Sequence, residues 1–198
     1  MMNARSLAIA TFGLAAVFCC LTAQPAHADG FLRDKLNLYL LDEFQEGHWR
    51  TELAGVDASL SNKYERDDDC FATASIEYAW PIHSHITFGL RAYPLFVYSQ
   101  NEPPKTLWGG GAGVVGRVYK NADCYSGWYA ETGAAMVFHD RLLRDNSSHA
   151  NFLLELGLGY AFKNNWHAGL KLHHISNGGI GRHNAGTNGF GLAVGYTF

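Results

Sequence analysis

The sequence predicts an all-β protein: an eight-stranded antiparallel transmembrane β-barrel that follows an N-terminal signal peptide. The first observation is composition, because 14% of the 198 residues are aromatic, only 17% are charged and 22 are glycine. An ordinary soluble domain has more charged and fewer aromatic side chains on its surface. The second observation is an alternation of apolar with polar or small residues in eight successive segments, which is typical of strands. The third is that no stretch after the first 28 residues approaches the roughly 20 apolar residues of a membrane helix. A barrel accounts for all three, since its outer face is apolar and its lumen is polar.

The N-terminus has the features of a secretory signal. Arg5 supplies a positive charge, residues 7–21 form a mostly apolar run, and Ala26-His27-Ala28 places small residues where a signal peptidase reads them. Cleavage after Ala28 removes 28 of 198 residues and leaves a mature chain of 170 that starts at Asp29. A retained membrane anchor is the alternative, but the short run and the well-placed Ala-x-Ala site favour cleavage.

The mature chain divides into a lead segment, residues 29–46, and the barrel, residues 47–198. In the lead segment, Leu32, Leu36, Tyr39 and Leu40 have near-helical spacing among charged residues. A periplasmic amphipathic helix at the membrane surface and an extended segment are equally consistent with this pattern.

The last strand is the clearest one. Its apolar face carries Phe190, Leu192, Val194, Tyr196 and Phe198, and Gly191, Ala193, Gly195 and Thr197 alternate with them. A terminal Phe after such alternation resembles the signal that outer-membrane barrels present to the barrel assembly machinery. The localisation implied is the bacterial outer membrane. A strand of a soluble sandwich is the alternative.

The other strands show the same alternation. The predicted outward sets are Ile76, Tyr78 and Trp80; Ile86, Phe88, Leu90, Phe96 and Tyr98; Trp108, Ala112, Val114 and Val118; Ala130, Ala134, Met136 and Phe138; Phe152, Leu154, Leu156, Leu158, Tyr160 and Phe162; and Trp166, Ala168, Leu170, Leu172 and His174. The first strand, about Gly47 to Ser61, is the least distinct. Predicted short periplasmic turns are 81–85, 120–123 and 163–165, and predicted longer outer loops are 62–69, 101–106, 140–150 and 177–189.

The residues predicted to face the lumen include charged ones, namely Glu77, Arg91, Arg117, Glu131, Glu155 and Lys171. A barrel of eight strands is filled by its own side chains, so we expect these charges to pair with one another, and a channel is disfavoured. The net charge of −3 and the lack of a basic patch indicate no nucleic-acid partner.

Two cysteines remain after cleavage, Cys70 and Cys124. The strand order places them at opposite ends of the barrel, about 25 Å apart by the height of the apolar band. A disulfide cannot bridge that distance. We therefore expect two free thiols.

One pair of residues indicates chemistry. His174 and Ser176 lie two residues apart in a predicted strand, so both side chains point outward towards lipid. A Ser beside a His is the start of an activated nucleophile, because the imidazole takes the hydroxyl proton as the oxygen attacks a carbonyl. The position favours a membrane-embedded acyl ester. The alternative is that both side chains only hydrogen-bond headgroups and water at the interface.

The segment His173-His174-Ile175-Ser176-Asn177-Gly178-Gly179-Ile180, followed by Asn184-Ala185-Gly186-Thr187-Asn188 and a terminal strand, resembles the lipid A 3-O-deacylase (PagL-like) family. The resemblance implies an eight-stranded outer-membrane barrel that removes the acyl chain ester-linked at position 3 of lipid A in lipopolysaccharide. It implies that Ser176 is the nucleophile, that His174 is the general base and that Asn177 helps to form the oxyanion hole.

The resemblance fails at one catalytic position. The family has a Glu fourteen residues after the His to orient the imidazole, and this sequence has Asn188 there. Asn188 has the parity of Phe190, so it shares the outward face with His174 and Ser176. Glu131 and Glu155 face the lumen and are poor substitutes. The shared face is kept but the charge is lost, and replacing the acid of a serine triad by Asn lowers the rate by about 10⁴.

Other candidate sites are weaker. His173, His174 and His183 suggest a metal site, but His173 and His174 point to opposite faces. Asp67-Asp68-Asp69 suggests a cation site, although a solvated loop fits better. Gly109-Gly110-Gly111 lacks the helix and Lys of a phosphate loop, and in a barrel it relieves crowding or lets strands bend. We therefore predict no metal and no cofactor.

Two functional hypotheses follow. The first is an esterase acting on lipid A, favoured by the outward His–Ser pair. The second is a non-catalytic barrel with an adhesion or envelope-structural role, favoured by Asn188. The sequence leaves open which ester is cut and whether the barrel forms a homodimer.

Overall fold

The computed structural model describes residues 46–60, 66, 68–122 and 125–198. The predicted signal peptide and nearly all of the predicted lead segment lie outside them. Eight strands run in sequence order around one sheet: β1 His48–Asp57, β2 Cys70–His83, β3 Ile86–Gln100, β4 Lys105–Tyr119, β5 Gly127–His139, β6 Ala150–Ala161, β7 Trp166–Ser176 and β8 Thr187–Thr197.

Every neighbouring pair of strands is antiparallel, and β8 pairs with β1 to close the barrel. The closing register runs from Arg50 opposite Thr197 to Asp57 opposite Phe190. Closure leaves no unpaired sheet edge, so the backbone amides and carbonyls bond to one another even where lipid surrounds the sheet. The predicted eight-stranded antiparallel barrel is confirmed. Among the described residues, no helix is long and apolar enough to cross a membrane.

The two ends of the barrel differ. One end, here called the terminal end, holds the start of β1 and the end of β8, and the other, the loop end, holds the connections 58–69, 101–104, 140–149 and 177–186. Aromatic rings meet edge to face at the terminal end, at centroid distances of 4.9 Å for Trp49 and Tyr78 and 5.3 Å for Trp128 and Tyr160. Aromatic side chains of this kind are enriched at membrane–water interfaces.

The predicted faces hold for most of the strands, but two residues of β3 were assigned wrongly. Phe96 and Tyr98 were expected outside and are fully buried inside the barrel. The pairing of β3 with β4 shifts between Tyr93 and Phe96, so Pro94 and Leu95 both face outward in succession. A bulge of this kind adds one residue and reverses the parity of everything after it.

Strand and loop bounds also differ from the prediction. The first strand is shorter than Gly47 to Ser61, since β1 ends at Asp57. The expected long loop 101–106 is wrong, because β3 extends to Gln100 and β4 begins at Lys105, which leaves a connection of residues 101–104. The connection 120–126 at the terminal end is longer than that. Loop length alone therefore does not separate the two ends.

The lumen is filled by a buried charge network of four basic and four acidic side chains. Arg91 donates to Glu77 at 2.9 Å and to Glu155 at 2.8 Å, and Arg117 donates to Glu131 at 2.8 Å. The buried charged side chains of this layer are Arg50, Glu52, Glu77, Arg91, Arg117, Glu131, Glu155 and Lys171. Arg50 differs from the others because it donates to the Tyr119 hydroxyl at 3.0 Å. The expected pairing of the lumen charges is confirmed.

Apolar and aromatic layers lie on both sides of the charge network. Towards the loop end, the buried cluster includes Phe71, Phe96, Tyr98, Leu107, Leu143 and Leu153. Towards the terminal end, Tyr119, Tyr129 and Ala161 pack together. The lumen is therefore a packed core.

The acidic loop differs from the expected solvated loop. Asp69 is buried, and its carboxylate accepts hydrogen bonds from the Tyr98 hydroxyl at 2.9 Å and the Asn101 amide at 2.8 Å. Asp67 lies outside the described residues. Cys70 is an exposed free thiol at the start of β2, as expected. Cys124 lies outside the described residues, so the absence of a disulfide between the two stays a prediction.

Candidate functional site

His174 and Ser176 stand on the outward face of β7 near the loop end, with Ser176 as the last residue of the strand. Their alternate positions put the two Cα atoms about 6.6 Å apart along one face. On the neighbouring strands, His174 lies opposite Asn188 of β8 and Leu154 of β6, and Ser176 lies opposite Phe152. The pairing of β7 with β8 thus places Asn188 directly beside the imidazole.

Asn188 holds the imidazole by a hydrogen bond. The His174 Nδ1 and Asn188 Oδ1 atoms are 2.7 Å apart, so Nδ1–H donates to the carboxamide oxygen. In that tautomer Nε2 is unprotonated and is the ring atom able to accept a proton. The sequence analysis placed His174 and Asn188 on one outward face, and the structure pairs them there with their side chains in contact.

Gly186 lies against the other edge of the ring. A Cβ atom built on Gly186 would be 3.1 Å from His174 Cε1 and 3.8 Å from Nε2. The first distance is tighter than most van der Waals contacts. A side chain at position 186 would therefore press on the edge of the ring that carries Nε2.

The side chain of Asn177 is buried among loop residues and does not lie on the outward face. It is fully buried, and its Nδ2 donates to Asn146 Oδ1 at 3.1 Å and to the His183 carbonyl at 2.8 Å. Its backbone N–H donates to Asn184 Oδ1 at 2.9 Å. All three donor hydrogens of Asn177 have partners here, and its oxyanion role stays a prediction.

Asn184 is the residue that sequence reasoning missed. Its Oδ1 is fixed 2.9 Å from the Asn177 nitrogen, the atom that follows the Ser176 carbonyl carbon, so the carboxamide lies beside the nucleophile's own backbone. Its Nδ2 has no hydrogen-bond partner among the described residues. The sequence signal was present, since Asn184 begins the second part of the motif, but nothing in strand parity assigns a direction to a loop residue.

The surroundings of the pair are apolar and open. Leu172 and Phe190 flank the site on β7 and β8 and are 48% and 43% exposed, and Ile180 in the loop is 71% exposed. An open groove of about 950 Å³ has Phe190 in its lining and continues across the outer faces of β1 and β2 over Gly55 and Ala72. His174, Ser176 and Asn188 are not among the residues that line this groove. The three side chains themselves are on the outward face of the barrel.

The other histidines and the lumen glutamates considered as site residues lie in a loop or on the opposite face of the sheet from His174 and Ser176. His173 points into the lumen, with Nδ1 3.5 Å from Glu155 Oε1, whereas His174 points outward and His183 is exposed in the loop. Glu131 and Glu155 face the lumen, as expected, and are bound in the charge network. Within the described ranges, no group of three or more His, Cys, Asp or Glu side chains is arranged to hold a metal ion.

Comparisons with known proteins identify the family and the fold. A family model described as lipid A 3-O-deacylase (PagL) matches residues 54–197. The crystal structure of the outer membrane enzyme PagL is similar to this chain with a TM-score of 0.63 at 16% identity, covering 74% of this chain and 98% of that one.

Two other outer-membrane barrels are less similar. The N-terminal β-barrel domain of Pseudomonas aeruginosa OprF gives a TM-score of 0.47 at 16% identity, covering 79% of this chain and 100% of that one. Neisserial surface protein A gives 0.49 at 16% identity, with the same coverage. A search of curated protein sequences found no match.

The family match covers well over half of the chain and includes the strands that carry His174, Ser176 and Asn188. The similarity to the PagL structure shows the same barrel fold. The chain is a bacterial outer-membrane protein and belongs to the lipid A 3-O-deacylase (PagL) family.

Proposed function

We propose that this protein is an esterase that hydrolyses an acyl ester of lipid A, with Ser176 as nucleophile and His174 as general base. The observation that carries the proposal is the His174–Asn188 hydrogen bond of 2.7 Å on the lipid-facing surface, on the same strand face as Ser176. Polar groups placed against lipid are costly and are typically functional. A hydrogen-bonded imidazole next to a Ser on the lipid-facing surface suits a substrate that is itself part of the membrane.

The reaction follows from the tautomer. As Ser176 Oγ attacks the ester carbonyl, His174 Nε2 takes the hydroxyl proton and becomes imidazolium. The tetrahedral intermediate collapses, the sugar hydroxyl leaves with the proton that His174 returns, and the acyl group stays on Ser176. Water then attacks the acyl-serine with the same imidazole as base, which releases the fatty acid and restores the hydroxyl.

The oxyanion formed in both steps needs a hydrogen-bond donor. The Asn184 carboxamide is the best candidate, because Asn177 N–H fixes its oxygen next to the Ser176 backbone and its NH2 group has no other partner among the described residues. A donor that is already oriented stabilises the developing charge without reorganisation, and removing one such donor typically costs about 10²- to 10³-fold in kcat.

Membership in the family and the outward position of the site support lipid A as the substrate. The ester at position 3 of lipid A is the bond that the family name specifies. The groove lined in part by Phe190 has an apolar wall at Leu192 and small residues at Gly55 and Ala72. It offers a place for an acyl chain that runs along the outside of the barrel.

Asn188 supports a second candidate, a non-catalytic barrel with an adhesion or envelope-structural role. A neutral carboxamide stabilises the imidazolium less than a carboxylate does, and loss of the acid in a serine triad costs about 10⁴ in rate. If the missing carboxylate abolishes catalysis completely, the protein keeps the barrel fold but has no esterase activity.

The test uses the purified full-length mature protein, folded in detergent, with lipopolysaccharide as substrate and mass spectrometry of released fatty acid as readout. We expect release by the wild type and none above background by Ser176→Ala or His174→Ala, because members of one catalytic unit fail together. All three proteins should show the same folded fraction on heat-modifiability gels. Equal release by the wild type and Ser176→Ala would assign any activity to another group.

A further inference from the structure

A chain of buried asparagine side chains connects the loop between β5 and β6 with the candidate site. Asn177 Nδ2 donates to Asn146 Oδ1 at 3.1 Å, and Asn146 Nδ2 donates to Asn151 Oδ1 at 2.7 Å. Asn151 Nδ2 then donates to His139 Nε2 at 2.6 Å. Asn146, Asn151 and Asn177 are 5%, 1% and 0% exposed. In this series of hydrogen bonds each Asn side chain donates to the next residue, from Asn177 after the nucleophile to His139 at the end of β5.

At the site end of this chain Asn177 also makes hydrogen bonds within its own loop, since its Nδ2 donates to the His183 carbonyl at 2.8 Å and its carbonyl accepts from Ile180 N–H at 3.1 Å. β7 ends at Ser176, and Gly178 and Gly179 have positive φ angles of 62° and 85°, so the backbone leaves the sheet immediately after the nucleophile. The turn is closed by Asn177, whose Oδ1 accepts from Gly179 N–H at 2.9 Å. The hydrogen bonds of the Asn177 side chain fix the orientation of this residue. They thereby also fix the backbone N–H of Asn177, which points to Asn184.

Asn146 is the residue that holds it from the neighbouring loop. Its Oδ1 accepts from Asn177 and also from the Ser148 amide at 2.9 Å, and its backbone pairs with Asn184 in an isolated bridge. Asn146 therefore touches both the residue after the nucleophile and the residue proposed as oxyanion donor. Buried polar networks in which the members are satisfied fix one geometry, because each alternative leaves a buried donor or acceptor unpaired.

We infer that Asn146 and Asn151 are positioning residues, which act through Asn177 to hold Ser176 and the Asn184 carboxamide in the geometry that stabilises the transition state. The inference rests on the proposed function for its kinetic consequence. It goes beyond that function because it assigns catalytic importance to a different loop, one with no member in the nucleophile motif.

The test compares Asn146→Leu with Asn146→Asp in the full-length mature protein acting on lipopolysaccharide. Leu has a similar volume but removes the acceptor for Asn177, so kcat should fall at least tenfold while KM stays within about twofold, since the lost interaction serves the transition state. Asp keeps the acceptor oxygen and should retain more of kcat than Leu does. Asn121→Ala removes an Asn–Ser bond of 3.1 Å at the terminal end and should leave kcat unchanged.

A merely structural role predicts a different result. In that case Asn146→Leu lowers the folded fraction while kcat per folded molecule stays at the wild-type value, and this result overturns the inference. A fall in kcat that is as large in Asn146→Asp as in Asn146→Leu also overturns it, because the acceptor oxygen would then have no role.

Amide hydrogen exchange over residues 177–184 supplies a readout that does not need activity. We expect faster exchange in Asn146→Leu than in the wild type, because the Asn177 and Gly179 amides lose the arrangement that protects them. Unchanged exchange overturns the inference even if the wild type is active. If the wild type releases no fatty acid but exchange is faster in the variant, the proposed function fails and the positioning of the loop stands.

Discussion

Asn188 is the residue at which geometry and electrostatics favour different outcomes. Its carboxamide oxygen accepts the Nδ1 proton at 2.7 Å, which selects the tautomer that general-base catalysis needs. It carries no charge to stabilise the imidazolium that forms during the reaction. A carboxamide can also rotate to present NH2 to Nδ1, which selects the unproductive tautomer, whereas a carboxylate has two equivalent oxygens.

The first prediction concerns Asn188→Asp. Asp is isosteric with Asn, so the 2.7 Å contact is retained while a negative charge is added. We expect kcat for fatty-acid release to rise by one or more powers of ten, because the carboxylate stabilises the imidazolium and removes the unproductive rotamer. Asn188→Glu should also raise kcat, and Asn188→Leu should abolish the reaction. A rate that stays at the wild-type value in both acidic variants while Ser176→Ala is inactive would show that another group orients His174.

Strand parity was sufficient to place His174, Ser176 and Asn188 on one face, because all three belong to regular strands. Parity also puts Asn177 on the inward side with His173 and Ile175, and its side chain is buried there. The oxyanion role expected for Asn177 rested on the family resemblance and not on parity. The loop that follows, with positive φ angles at Gly178 and Gly179, has no alternation from which its contacts could be read. No periodicity in the sequence reports the direction of a turn, so the asparagine chain through Asn146 was not predictable.

At the scale of the strand, β4 and β5 approach each other closely through alternate glycines. A Cβ atom added at Gly111 would lie 2.1 Å from the Met136 carbonyl oxygen, and one at Gly109 would lie 2.1 Å from that of Phe138. The expectation that these glycines relieve crowding agrees with these distances. A Cβ at Gly116 of the same strand meets nothing within 4 Å, so β4 provides its own control.

The second prediction uses that contrast. Gly111→Ala should lower the free energy of unfolding by about 1–3 kcal/mol, the usual cost of forcing extra atoms into a packed site. Gly116→Ala should leave it unchanged or raise it by about 0.5–1 kcal/mol, because alanine restricts the unfolded chain. Urea unfolding in lipid vesicles, followed by tryptophan fluorescence, measures both. Equal effects at the two positions would contradict the close approach of β4 and β5.

The bulge in β3 shows the limit of alternation over a whole strand. Phe88 and Leu90 before the bulge face outward, as the alternating pattern predicts, but Phe96 and Tyr98 after it are inside. At the loop end the core of the barrel is apolar, so aromatic residues occur on both the lipid-facing and the core-facing side of β3. Residue type therefore does not distinguish the two faces there. The sequence therefore gives no signal beyond Pro94, which cannot donate to the ladder and marks where the pairing shifts.

At the scale of the molecule, stability depends on the balance of charges in the lumen. The charge network contains four basic and four acidic side chains, all buried, so its formal charge is zero when the neighbouring histidines are neutral. Removing one member leaves an uncompensated charge in the interior, which commonly destabilises a protein by about 3–5 kcal/mol.

The third prediction follows from that balance. Glu77 is bound by both Arg91 and Arg117, so Glu77→Gln should lower the free energy of unfolding by about 3–5 kcal/mol. The matched control is the exposed pair Arg141 and Asp140, 3.7 Å apart with side chains 61% and 45% exposed, where Arg141→Met should change it by less than about 1 kcal/mol. Similar effects of the two substitutions on the urea midpoint would show that the lumen charges are not mutually paired.

The fourth prediction concerns orientation. With the termini in the periplasm, the connection 177–186 lies outside the cell, and Arg182 in it is exposed. Trypsin added to intact cells should cut after Arg182 without permeabilisation. Cleavage that occurs only after the outer membrane is opened would place the candidate site on the periplasmic side, away from lipopolysaccharide.

The central claim is that this barrel deacylates lipid A through Ser176. Mass spectrometry of lipid A isolated from cells that express the wild type, Ser176→Ala or no protein tests it most directly. The account predicts that lipid A from wild-type cells loses the mass of one ester-linked acyl chain, while lipid A from the other two is identical. Unmodified lipid A in wild-type cells that contain folded barrel in the outer membrane would contradict it and would favour the non-catalytic barrel.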